Sequence, residues 1–558
     1  MVRRIINLLH KEWGSLHEAA LLLGSMALVA QLLGFFRDRL LAAHFGAGTQ
    51  LDIYYSAFRV PDFLYDTLGS AVAITVLIPF IAEYAKKGNG ELKKFMSAMF
   101  TAFISAFVII CGVAFVFMPQ IVPWLVPGFS PAEQAVNINV ARILLLSPIF
   151  QGLSNLYGAL TQSLQRFFVY AISPAVYNLG IIFGIIFLYP YFGIYGLAWG
   201  VVCGALLQDL IMLPVLVREK LVPGFLFGHM KEVKRVFLTS IPRTIALTSS
   251  HLATIAIIGI ASHVEGGVAI FTFGMTLQSI TFTIIGSSYS VAAFPTFAKF
   301  WAQEEYHLFR EHLLSAARHI IFWSLPVTAL FVVLRAQIVR VVLGTGRFDW
   351  SATRLVAAAL ALFVISVAAQ SLVSLFTRAF YAAGNSKVPL TINAFSGALI
   401  IAFAYGLTAF FGYSPIFRYF IETILRVDGL QGTSVLMLPL AYSLGMIINV
   451  SLLLVALHKI VNHVWLGIRR AFVQSFSVAV IMGAVAYYML QFSVTYIDQK
   501  TLLGILGQGL ISGGLAVIVG MFFFTILDNT EYKETRDAVH KKFWKQKPIV
   551  TETETVIQ

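Results

Sequence analysis

Continuous apolar runs, each about twenty residues long, set the limits on how this chain can fold. They lack the alternating apolar and polar pattern of a membrane β-barrel. In a bilayer every backbone N–H and C=O must be bonded internally, so such runs fold as spanning helices. They fall at 18–37, 52–83, 95–118, 136–163, 168–189, 193–216, 236–262, 267–296, 314–334, 353–380, 388–411, 432–457, 470–492 and 502–527. The chain is read as an all-α polytopic membrane protein with about fourteen transmembrane helices. Composition agrees: 58% of the 558 residues are hydrophobic and 12% charged, roughly half the charged share of a soluble domain.

Basic residues orient the bundle. With the N-terminus inside and alternating spans, 27 of the 39 Lys and Arg fall in inside segments and 9 in outside segments. That bias predicts both termini in the cytoplasm. It also accounts for the net charge of +13 without nucleic acid, since no basic stripe is interleaved with exposed aromatics. Residues 1–17 read as an interfacial helix, with Ile5, Leu9, Trp13 and Leu16 on one face. A linker follows at 217–235 and a polar cytoplasmic tail at 528–558. Prolines inside the runs, among them Pro61, Pro79, Pro148, Pro174, Pro295 and Pro326, are expected to kink helices packed against neighbours.

No enzyme signature is present. HExxH, GxSxG and Walker motifs are absent. Cys111 and Cys203, both in apolar runs, offer neither a disulfide framework nor a metal cluster. No catalytic residue, cofactor or metal is expected. A transporter lacking the Walker loop draws on an ion gradient or the membrane potential rather than ATP.

The second run concentrates charge. Asp52, Arg59 and Asp66 are spaced by seven, which returns a helix to nearly the same face. Asp62 joins them three residues after Arg59. A charge at the bilayer centre costs about 2.5–3.5 kcal/mol, so the stripe avoids lipid. It forms either an ion-pair network of Arg59 with Asp62 or Asp66, or a polar cavity for a charged substrate or coupling ion. Asp62 and Asp66 are the candidate ion-coupling groups. Arg37 closes the first run beside Asp38, and Arg243 follows Pro242 in the seventh, near Thr244, Ser249, Ser250 and His251. His251 reads as a hydrogen-bonded packing residue rather than a proton carrier.

Five stretches resemble a known family. They are LGFFRDRLLAAHFGAGTQLDIYYSAFRVPDFL (33–64), LQRFFVYAISPAVYNLGIIFG (164–184), AAFPTFAKF (292–300), IVRVVLGTGRFDWSATRLVAAALALF (338–363) and LFTRAFYAAGNSKVPLTI (375–392). In order and spacing they resemble the bacterial lipid II flippases, the MurJ/MviN family of the multidrug/oligosaccharidyl-lipid/polysaccharide exporter superfamily. The resemblance implies two pseudo-symmetric six-helix lobes, at 18–216 and 236–457, with two extra C-terminal helices at 458–527. It implies alternating access around a cationic cavity for a polyprenyl-pyrophosphate-linked peptidoglycan precursor, with cell-wall assembly proteins as further partners. Arg37 and Asp52 match family positions, and Arg59 a basic one, while Arg243 supplies replacement charge. The family's other cavity arginines fall on Gln31, on Tyr65-Asp66 and on Thr276. The alternatives are a flippase for another lipid-linked oligosaccharide, a cation-coupled multidrug exporter of the superfamily, and a transport-inactive scaffold.

Overall fold

The computed structural model describes residues 16–69, 74–228, 230–458, 461, 464–499 and 501–544; the side chains of 16–21, 74–76, 239–250 and 538–544 stand outside that description. The helix expected over 1–17 and the tail beyond 544 thus lie almost wholly outside the described residues.

Among the described residues all regular structure is helical. The first helices are α1 (Leu16–Phe45), α2 (Thr49–Ala57), α3 (Arg59–Gly69), α4 (Ile74–Ala85), α5 (Asn89–Leu125), α6 (Pro131–Leu144) and α7 (Leu146–Ser163). Next come α8 (Phe167–Phe183), α9 (Ile194–Leu210), α10 (Leu213–Arg218), α11 (Met230–Ala261) and α12 (Gly267–Thr281). They are followed by α13 (Ser288–Ala302), α14 (Tyr306–Val333), α15 (Arg335–Val342), α16 (Trp350–Val364) and α17 (Val367–Ala382). The last are α18 (Lys387–Tyr413), α19 (Pro415–Leu425), α20 (Met437–Leu457), α21 (Val464–Ser493), α22 (Leu502–Ile526) and α23 (Thr530–Trp544).

Ten helical stretches among the described residues are long and apolar enough to cross a bilayer, and eleven when α16 and α17, bent by 42° at their junction, count as one. The remaining predicted runs, 18–37, 52–83 and 236–262, are also helical, as α1, α2–α4 and α11. The run at 52–83 is therefore not one helix, and the seven-residue stripe is interrupted. Proline is the reason: Pro61 has no N–H for the Ala57 carbonyl, and its ring crowds that carbonyl. The helix turns at Phe58 and restarts at Arg59. Pro148 acts likewise against Leu144, where α6 gives way to α7. Pro79, Pro174, Pro295 and Pro326 sit inside unbroken helices.

Capping residues set several helix starts. Ser130 Oγ accepts from Glu133 N, while Glu133 Oε2 accepts from Ser130 N at 2.7 Å, with Pro131 opening α6. Thr501 Oγ1 accepts from Gly504 N at 3.0 Å to begin α22. Both satisfy N–H groups that a helix start leaves unpaired.

The chain divides into two compact units. The first comprises Met1–Leu277, Ile338–Phe363 and Ser386–Asn449. In it α8, continued by the π-helical turn Gly184–Leu188, packs closely on α9, with glycines recurring every fourth residue at 180 and 184 and at 196, 200 and 204. A Cβ on Gly180 would lie 2.2 Å from Gly204 Cα, and one on Gly184 2.5 Å from Gly200 Cα. Only hydrogen side chains allow this approach, which stands in for the hydrophobic effect that lipid does not supply. The second unit comprises Gln278–Gln337, Val364–Asn385 and Val450–Gln558. There Phe322 of α14 packs with Val478, Met482 and Ala486 of α21 and Ala516 and Phe524 of α22. Gln278 and Gln370 exchange amide hydrogen bonds of 3.2 and 3.5 Å, the helix–helix glue expected of polar groups in spans. Arg318–Glu531 at 3.0 Å and His319–Glu534 at 3.3 Å fasten α23 to α14.

Candidate functional site

Within the first unit, α1, α2, α3, α7, α8 and α11 bring most of the predicted charges into one polar cluster. Arg37, near the C-terminal end of α1, bonds Asp38 Oδ1 through Nε at 2.9 Å and Nη2 at 2.8 Å. Its Nη1 donates to Asn178 Oδ1 of α8 at 2.9 Å. Asn178 is itself fixed, donating Nδ2 to Pro174 O at 3.1 Å and Ala30 O at 3.3 Å. Asp38 is buried, whereas the Arg37 side chain is 25% exposed. Three of the five guanidinium N–H donors are engaged in these bonds, which leaves two outside them. The guanidinium is thus rigid and still open to solvent on one side.

The stripe on α3 continues the cluster. Arg59 donates Nε to Tyr55 O at 3.2 Å, one turn back. Among the described residues it forms no salt bridge with Asp62 or Asp66. Asp66 instead pairs with His251 Nε2 of α11 at 2.8 Å, both side chains about one-third exposed. His251 is hydrogen-bonded, as expected of it, and its partner is the carboxylate of Asp66 at a partly exposed position. Asp62 lies within electrostatic reach of Arg59, Asp66 and His251. Tyr177 of α8 lies within reach of both Arg37 and Asp62 and links the two ends. Tyr54 and Tyr55 of α2 lie beside Arg37.

Two positions at which the resemblance implies arginine hold neutral side chains here. Tyr65 accepts a hydrogen bond from Asn155 Nδ2 of α7 at 3.0 Å. Gln31 is exposed on α1. Arg243 lies on α11 two turns before His251, and its side chain is outside the described residues.

Asp52 does not join the open cluster. It is 2% exposed, and its two oxygens accept from Gly266 N at 2.7 Å and Ala269 N at 2.8 Å. A carboxylate there satisfies the unpaired N–H groups at the start of α12 and complements that end of the helix dipole. Its proximity to Arg59 in sequence is undone by the break at Phe58.

Sequence reasoning missed Asn178, Tyr177 and Asn155. The available signal was a single amide or hydroxyl inside an otherwise apolar run, as in VYNLGIIFG. The cluster can hold an anion on rigid guanidinium donors and can carry or release protons through the Asp66–His251 pair.

A family model described as "Lipid II flippase MurJ" matches residues 41–507. The "Probable lipid II flippase MurJ" of Rickettsia prowazekii (strain Madrid E) is 25% identical over 386 residues, covering 68% of this chain and 76% of that protein. The "Lipid II flippase MurJ" of Burkholderia cenocepacia is 25% identical over 398 residues, covering 69% and 77%. Among solved structures, "Lipid II flippase MurJ, inward closed conformation" matches with a TM-score of 0.70 at 19% identity, over 92% of this chain and all of that one. An inward-facing multidrug resistance MATE family transporter of the MOP superfamily matches with a TM-score of 0.62 at 14% identity, over 77% of this chain and 94% of that one. The structural matches show a shared fold. The family model spans most of the sequence, and on that ground the chain belongs to the lipid II flippase MurJ family.

Proposed function

We propose that this chain flips lipid II, the polyprenyl-pyrophosphate-linked peptidoglycan precursor, across the bacterial inner membrane by alternating access. The observation that carries the reading is the held guanidinium of Arg37. Pyrophosphate needs positioned, forked cationic donors, and Asp38 with Asn178 fixes such a fork before substrate arrives. Arg59 adds a second cation in the same unit, and Arg243 a third from α11. Cell-wall assembly proteins are its expected partners. The direct test is expression in cells depleted of their own lipid II flippase. Growth is expected to be restored; membrane-inserted protein that leaves the cells to lyse would remove the reading.

Both termini face the cytoplasm in this scheme. Reporter fusions at residue 130 are expected to read outside and at residue 225 inside. Opposite signals would invert the orientation.

Asp62 and Asp66 are proposed to handle a coupling proton together with His251. Asp66→Asn removes the anionic partner of His251. Flipping by this variant in liposomes is expected to lose its dependence on pH between about 6 and 8, with the amount of folded protein unchanged. A wild-type pH profile in the variant would leave the pair with a structural role alone.

A further inference from the structure

Among the described residues of the first unit, one buried carboxyl group has no hydrogen-bond partner and no part in the cluster described above. Asp209, on the last turn of α9, is 4% exposed, and neither carboxylate oxygen has a hydrogen-bond partner. It lies inside the predicted span 193–216, packed away from the surface.

Beside it a two-residue turn interrupts the helix within one span, Ile194–Arg218. The helix ends at Leu210 and restarts as α10 at Leu213, with Met212 N donating to Asp209 O at 3.0 Å. Proline explains the break. Pro214 has no N–H for the Leu210 carbonyl, four residues earlier. A helix C-terminus carries partial negative charge, and interrupted spans use such ends to hold cations.

Its chain neighbours Gln208 and Met212 are held by a neutral hydroxyl. Ser154 Oγ of α7 accepts from Gln208 Nε2 at 2.6 Å and reaches Met212 Sδ at 4.0 Å. Tyr157 of α7, also buried, is within electrostatic reach of Asp209. The elements packed on α9 are α2, α6, α7, α8 and α10 and the helical turns Gly184–Leu188 and Tyr189–Phe192. Among the described residues none of them brings a cationic or second anionic group to this carboxylate.

An isolated carboxylate in such a place is strongly unfavourable unless a cation neutralises it. We propose that the break at Asp209 is a monovalent-cation site, taking H⁺ or Na⁺, separate from the Asp66–His251 pair. Its occupancy couples α9 to the ion gradient. The coupling role rests on the flippase reading, while the binding site itself does not.

The experiment uses the purified full-length chain in nanodiscs and the near-isosteric variant Asp209→Asn. Infrared spectra report the carbonyl stretch of a neutral buried carboxylic acid, and ²²Na⁺ exchange reports bound sodium. If the cation is a proton, the wild-type spectrum is expected to hold an acid band missing from the variant. If it is sodium, the wild type is expected to retain one ²²Na⁺ that the variant does not. A variant identical to the wild type in both measurements would overturn the site, because it would mean an ionised, unoccupied carboxylate. Monodisperse elution of both proteins and lipid II flipping in liposomes are measured in parallel. Cation binding at Asp209 without lipid II flipping by the wild type would defeat the flippase reading and leave the site. Flipping by the wild type with no signal from Asp209 would do the reverse.

Discussion

Arg37→Ala is expected to abolish flipping and to weaken binding of a labelled polyprenyl-pyrophosphate sugar by about ten- to hundredfold, while the protein still reaches the membrane. A charge-assisted bond to phosphate is worth about 1.5–3 kcal/mol, and each 1.4 kcal/mol is about a tenfold change in affinity. The structure sharpens this expectation. Arg37 is immobilised by Asp38 and Asn178 and has two donors outside those bonds. Little freedom is therefore lost when substrate binds. Arg37→Lys keeps the charge but cannot reach Asp38 and Asn178 with one planar fork, so partial activity is expected. Substrate binding by wild type and both variants in nanodiscs measures the effect. Equal affinity in all three would rule out Arg37 as the pyrophosphate anchor and bring forward the cation-coupled exporter.

Gly200→Val is expected to cause the largest loss of folded protein. A Cβ there would lie 2.5 Å from Gly184 Cα, so the clash is with backbone and cannot be relieved by a rotamer change. Overpacking usually costs about 1–3 kcal/mol even where side chains can yield. Here α8 and α9 must separate, losing the close contact that holds them in lipid. The consequence reaches the cluster, because α8 carries Tyr177 and Asn178. Fluorescence-detected size-exclusion and thermal melts of detergent-solubilised protein provide the readout. Gly112→Val is the control: a Cβ on Gly112 of α5 meets nothing within 4 Å. Equal melting of Gly200→Val and wild type would show that the α8–α9 approach is not needed for stability.

The flippase scheme and the glycine contact depend on different kinds of information. Apolar length alone identified the helical runs, since a bilayer permits few other folds for such segments. Helical spacing likewise placed Arg59, Asp62 and Asp66 on one element, and three- and four-residue intervals keep them near one another on α3. The pattern failed at Asp52. A seven-residue interval implies one face only while the helix is continuous, and Pro61 ends that continuity. Where Asp52 went instead, to amides 214 and 217 residues away, is not encoded in local spacing. The same holds for Asn178, which meets Arg37 across 141 residues, and for His251 opposite Asp66. A sequence period states which residues share a helix face. Which two faces meet is decided by packing between helices, and in the first unit the glycine seam of α8 and α9 is one place where backbones meet directly. The sequence by itself determined the helical membrane class, the charged stripe on α3 and the candidate arginines. Only the tertiary structure decided which carboxylate braces a helix, which pairs with histidine and which orients Arg37, because a carboxylate's role is set by the donors that distant segments bring to it.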